Sequence, residues 1–88
     1  MSDADALFQF PCDFPIKVMG RDSESFRTVT LAIIERHAGP LAAGQITERM
    51  SREGRFLALT YTIRAGSRAQ LDRIYQDLTD SGIVLVAL

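Results

Sequence analysis

Few side chains in this sequence are equipped for chemistry. One cysteine, Cys12, and one histidine, His37, stand among 88 residues. A soft metal needs several thiolate or imidazole ligands held together, so these two do not make a site alone, and no metal or other cofactor is expected. Cys12 also lacks a partner for an intramolecular disulfide, and an oxidising compartment gains no support from it. His37 has an ordinary pKa near neutrality, which makes it the first candidate for acid–base work. No serine or cysteine stands near it in the chain, and it closes an apolar helical stripe, so a structural role at a helix end is expected instead. Tyr61 and Tyr75 also fall in apolar stripes and read as packing groups. With no catalytic set assembled, the chain is expected not to be an enzyme.

Two groupings suit binding better. Gly20, Arg21, Ser23 and Ser25 lie where a strand gives way to a helix. Free amides at a helix start, two hydroxyls and a guanidinium are the chemistry that holds a carboxylate or small anion, although helix capping accounts for the same residues without a ligand. The other grouping is an interaction surface of Lys17, Met19, Phe56, Ala58, Ile83 and Leu85, placed by strand parity on an uncovered sheet face and on the closing strand.

The elements that position these groups are readable from periodicity. Residues 1–13 mix three aspartates and Pro11 with Leu7, Phe8 and Phe10, and are expected to be a loose arm before a single domain over 14–88. Phe14, Ile16 and Val18 alternate with Pro15, Lys17 and Met19, the period of a strand buried on one face. Asp22 or Ser23 caps the helix that follows, in which Phe26, Val29, Ile33 and His37, with Thr30 and Ile34, form one stripe. Gly39 and Pro40 stop it. After a linker at Leu41–Gly44, Gln45–Met50 reads as a weak strand with Ile46, Glu48 and Met50 on one face. Ser51–Gly54 is a hairpin turn. Leu57, Leu59, Tyr61 and Ile63 then face one way, with Phe56, Ala58, Thr60, Thr62 and Arg64 the other. Ser67 and Gln70 fit a capping box, Leu71, Ile74, Tyr75 and Leu78 form the second helical stripe, and Gly82 precedes a closing strand, Ile83–Leu88, apolar on both faces.

The order βαββαβ predicts an α+β fold, the ferredoxin-like sandwich: a four-stranded antiparallel sheet in the order 4-1-3-2 with both helices on one face. An edge strand apolar on both sides calls for cover by the arm, a second copy or another protein.

Known chemistries of this fold fit poorly. Acylphosphatases need an arginine in the Gly20–Arg21 region and an asparagine to orient water, and the sequence contains no asparagine. Metallochaperones carry Cys-x-x-Cys where Gly20-Arg21-Asp22-Ser23 stands. RNA-recognition motifs stack bases on aromatic residues of both central strands; Phe56 occupies one such position, but Lys17 and Met19 hold the others. Ten basic against eleven acidic residues give a net charge of −1, and Arg49, Arg52 and Arg55 are interspersed with Glu48 and Glu53 as on a solvated face. Nucleic acid is therefore not expected as a partner. No apolar run approaches the roughly 18 residues that span a bilayer, and the acidic start Met1-Ser2-Asp3-Ala4-Asp5 does not resemble a signal peptide, so a cytoplasmic, membrane-free setting is expected.

Phe10-Pro11-x-x-Phe14-x-x-Lys17-Val18-Met19-Gly20, then Glu35-Arg36-His37-Ala38, then Ser51-x-x-Gly54-x-Phe56 resemble the YbeD-like family of small bacterial proteins over roughly Phe8 to Leu88. The resemblance implies a cytoplasmic bacterial protein of ferredoxin-like fold, similar to ACT regulatory domains that bind amino acids and pair through their sheets. It brings no established enzymatic activity. Leu41-Ala42-Ala43-Gly44 departs from a more polar segment in the family. Asp22-Ser23-Glu24-Ser25 replaces the glycine beside a proline typical of ACT domains. The reading is a regulatory or adaptor domain associating with another protein or a second copy, with an ACT-like sensor of an amino acid or small carboxylate at Gly20–Ser25 as the alternative.

Overall fold

The computed structural model describes residues 9–88. In chain order they form β1 (Cys12–Arg21), α1 (Glu24–Ala38), a 3₁₀ turn (Ala43–Gln45), β2 (Ile46–Met50), β3 (Phe56–Ala65), α2 (Arg68–Asp80) and β4 (Val86–Ala87). The strands make one antiparallel sheet in the order β2-β3-β1-β4, the expected 4-1-3-2 arrangement seen from the other edge. The α+β, ferredoxin-like reading of the sequence is correct.

The central ladder joins β1 to β3 from Cys12 opposite Ala65 to Arg21 opposite Phe56. Because side chains alternate across a strand, this register sends Ile16 and Val18 to the same face as Leu57, Leu59, Tyr61 and Ile63, all buried. Phe26, Ile33 and Ile34 of α1 and Leu71, Ile74 and Leu78 of α2 complete that core. β1 starts at Cys12, so the domain begins before the expected boundary at residue 14. Pro15 delays nothing, since it sits opposite Thr62 on a strand whose ladder continues to either side. Phe10 packs half-buried against the core, while the rest of the expected arm, through Phe8, lies outside the described residues.

Local chemistry sets the helix ends. Ser23 caps α1, its Oγ accepting the Phe26 N–H at 3.0 Å. Gly39, at φ 80°, closes α1 by donating its N–H to Glu35, in a conformation that an L side chain resists. At α2, Ser67 Oγ accepts the Gln70 N–H as expected. The Gln70 carbonyl oxygen, however, accepts from Gly66 N–H at 2.7 Å, and its amide donates to the His37 carbonyl at 2.9 Å. The glutamine thus ties the start of α2 to the end of α1 as well as capping its own helix.

Two expectations about loops and edges change. The Leu41–Gly44 linker is built in: Leu41 N–H donates to Glu35, and Gln45, in the 3₁₀ turn and not in a strand, donates to the Thr62 carbonyl. The closing strand is only Val86–Ala87, extended by Leu85 N–H donating to Met19 and by mutual bonds between Lys17 and Leu88. After Gly82 the chain must climb from the helix layer to the sheet edge. Ile83 and Val84 make that climb half-buried against the core.

One polar contact lies inside the core. Thr30 is fully buried on α1; its hydroxyl donates back to the Phe26 carbonyl at 2.7 Å and accepts from Tyr61 at 2.7 Å. Burial raises the Tyr61 pKa above its ordinary value, partly offset by the Thr30 bond, and burial raises Tyr75 as well. The unfolded chain therefore loses these protons first, so the contribution of the two tyrosines to stability is fully present below about pH 10 and is lost as pH rises beyond it. Tyr61→Phe is expected to lower stability at pH 7 by about 1 kcal/mol and to flatten the alkaline fall to the part due to Tyr75. Urea denaturation across an alkaline pH series reads both effects.

Candidate functional site

The helices cover one face of the sheet and, among the described residues, no element covers the other. Register places Thr47 and Arg49 of β2, Phe56, Ala58, Thr60, Thr62 and Arg64 of β3, and Asp13, Pro15, Lys17, Met19 and Arg21 of β1 on this open face. Val86 joins them opposite Met19. One rung thus runs Arg49, Ala58, Met19, Val86 across all four strands, with Phe56 and Arg21 paired on the next rung. Met19 and Phe56 are each 37% exposed and Val86 43%. At this end of the sheet Met19, Met50, Phe56 and Ala58 line a groove of about 440 Å³ together with Arg49 and Arg52.

Charge on the face is one-sided. Lys17, Arg21, Arg49 and Arg64 oppose the single carboxylate of Asp13, which pairs with Arg64 at 3.4 Å. The Arg21 guanidinium lies 5.8 Å from the centre of the Phe56 ring, a cation–π arrangement. The two carboxylates interspersed with Arg49, Arg52 and Arg55 in the sequence take Arg27 and Arg55 as partners. Glu48 turns to the helix side, where Arg27 donates to it at 3.1 Å and to Asp22 at 2.9 Å; the Glu48 bond, ahead of Asp22, raises the Arg27 pKa. Glu53 sits 3.8 Å from Arg55. Arg49 and Arg52 consequently border the groove with no carboxylate partner among the described residues. The solvated face expected at Arg49, Arg52 and Arg55 is exposed, with Glu48 on the other side of β2 from Arg49 because adjacent residues of a strand face opposite ways.

Of the residues expected on the interaction surface, Lys17, Met19, Phe56 and Ala58 lie together on the open face. Ile83 does not: it is half-buried against the core. Leu85 is 61% exposed but lies beside the start of α1, and the parity of the last strand on the open face is that of Val86. Arg49, Arg52, Met50 and Val86 were not among the expected site residues. The β2 alternation of Ile46, Glu48 and Met50 was the signal that could have placed Arg49 opposite them.

The expected anion site at the start of α1 is only partly brought together. Arg21 and Ser23 line a groove of about 280 Å³ with Phe26, Ile83 and Leu85, and Ser25 lies exposed outside that lining. Ser23 is engaged as the cap, Arg21 sits over Phe56, and Asp22 and Glu24 place carboxylates on the same turn. Gly20 has a packing role: a Cβ there would come 2.5 Å from the Phe26 ring and 2.8 Å from the Ile83 carbonyl oxygen. His37 is held by Asp77, with Nε2 and Oδ2 2.6 Å apart, and Arg36 lies 3.6 Å from the same carboxylate. This joins the two helices. No group of three or more potential metal-ligating side chains converges among the described residues, and no described helix is long and apolar enough to cross a membrane.

These features define a small ferredoxin-like domain with one covered and one open sheet face. The chain belongs to the bacterial family described as protein of unknown function DUF493, whose model matches residues 5–88; this bears out the YbeD-like resemblance. It is 42% identical over 84 residues to the UPF0250 protein NE1487 of Nitrosomonas europaea, covering 96% of this chain and 97% of that protein. It is 45% identical over 82 residues to a UPF0250 protein of Chromobacterium violaceum, covering 93% and 92%. The solution structure of protein HP0495 from H. pylori superposes with a TM-score of 0.65 at 16% identity, over 92% of this chain and 85% of that one, a likeness of fold.

Gly20→Ala is expected to destabilise the domain by about 1–3 kcal/mol, since a ring and a backbone carbonyl must both move. Chemical denaturation reads the loss, and an unchanged midpoint would show that Phe26 has room to swing aside.

Proposed function

We propose that this chain is a non-enzymatic regulatory or adaptor domain of the bacterial cytoplasm that works by binding another protein through the open face of its sheet. The observation that carries this reading is the run of exposed apolar side chains Phe56, Met19 and Val86, contiguous across adjacent rungs through the half-buried Ala58 and bordered by cations. A contiguous apolar patch with a polar rim is the usual anatomy of a protein-binding surface. A domain of this size also gains materially from a partner that buries such a patch. The non-enzymatic part rests on the engagement of His37 with Asp77 between the helices, away from the open face, with no nucleophilic side chain bonded to either among the described residues.

The test compares capture from bacterial lysate by the wild-type domain, by Met19→Glu on the open face and by Arg73→Ala on the exposed side of α2. Wild type and Arg73→Ala are expected to hold the same protein, and Met19→Glu to lose it while keeping its melting temperature within a few degrees. Equal capture by Met19→Glu would move the binding surface off this face.

A further inference from the structure

We infer that the occupant of the open face is an acidic peptide segment carrying one bulky apolar side chain, an inference that rests on the docking reading above. The groove bordered by Met19, Met50, Phe56 and Ala58 offers about 440 Å³ of mainly apolar lining, suited to a single aromatic or leucine-sized anchor. Arg49 and Arg52 line it, Arg21 lies over the Phe56 ring at its border and Lys17 stands one rung further along the same face, none within ion-pair distance of a carboxylate of the described chain. Such cations stay hydrated in the free protein and gain from carboxylates brought by a partner, which sets specificity and speeds encounter.

Two other occupants fit the same surface less well. A second copy docked face to face about a two-fold axis would match the patch with itself and bring these cations against their equivalents. A single-stranded nucleic acid would use the phosphate-binding cations, but base recognition on such a sheet depends on free aromatic faces. Phe56 is the one aromatic side chain that the register puts on the open face, and the Arg21 guanidinium lies over its ring. The other exposed apolar groups of this face, Met19 and Val86, and Met50, which reaches the groove from the opposite parity of β2, are aliphatic or thioether, which favour a packed side chain over a stacked base.

The probes are fluorescent peptides of about ten residues, long enough to cross the sheet in extended form: one phenylalanine flanked by glutamates, and the same peptide with glutamines. At low salt the acidic peptide should bind about tenfold more tightly than its glutamine counterpart, and added salt should erase the difference. Its binding should shift the backbone amide resonances of Met19, Arg49 and Ala58. Arg49→Glu combined with Arg52→Glu, both exposed positions, should abolish the preference for the acidic peptide while leaving the melting temperature in place.

Equal affinity for the two peptides, indifference to the double variant, or failure of the acidic peptide to bind would overturn the inference. So would a single-stranded RNA oligonucleotide that binds more tightly than the acidic peptide and shifts the same amides. In each case the Met19→Glu capture experiment separates the two conclusions. Loss of capture there keeps the open face as a protein-docking surface and discards only the acidic chemistry, whereas unchanged capture discards both.

Discussion

The antiparallel ladder between β1 and β3 is the constraint on which the rest of the molecule depends. Ten consecutive residue pairs fix which side chains point to the helices and which to the open side, and a slip of one residue would exchange the two sets entirely. Both helices, the two flanking strands and the cations of the open face take their positions from that single register. The contrast between faces holds it in place: Ile16, Val18, Leu57, Leu59, Tyr61 and Ile63 are buried, and a one-residue slip of β1 would carry Ile16 and Val18 to the open side.

Above the ladder, the helix layer is pinned by a few specific contacts as well as by apolar area. Gly20 lets the Phe26 ring lie directly on β1. The Thr30–Tyr61 bond joins α1 to the middle of β3, so a buried hydroxyl pair is satisfied without water. At the far end of the helix pair, Gln70 and Asp77 of α2 reach His37 of α1 through its carbonyl and its ring. The polar side chains with the most catalytic appearance in the sequence are therefore occupied in fastening helices, which leaves the sheet face as the surface that is chemically open.

Much of this was legible in the residues. The alternation of Leu57, Leu59, Tyr61 and Ile63 located β3 and its parity, and the Phe26, Thr30, Ile33, Ile34 stripe located α1, because burial on one side imposes those periods. Ser23 and Gly39 were readable as caps for the same local reasons. The closing segment was not: an unbroken apolar run from Ile83 to Leu88 carries no period, so nothing in it distinguishes residues that pack against the helix layer from residues that pair with β1. The candidate site was half legible. Lys17, Met19, Phe56 and Ala58 follow from parity on the two central strands, whereas Arg49 and Arg52 were obscured by Glu48 and Glu53. Interspersed charges there read as a solvated face, and the short edge strand separates Arg49 from Glu48 in space.

That separation makes the molecule electrically two-sided. Lys17, Arg21, Arg49 and Arg64 outnumber Asp13 on the open face, while Asp22, Glu24, Glu35, Glu48, Asp72, Asp77 and Asp80 outnumber Arg27, Arg36, Arg68 and Arg73 on the helix side. The overall charge of −1 averages over the two and describes neither. A sequence isoelectric point near 5.7 marks an acidic protein, yet a sulfonate surface presented to it at neutral pH meets a patch of cations. The domain therefore has an electric dipole directed across its thickness, and in a field from any charged body it turns to a preferred orientation before it touches.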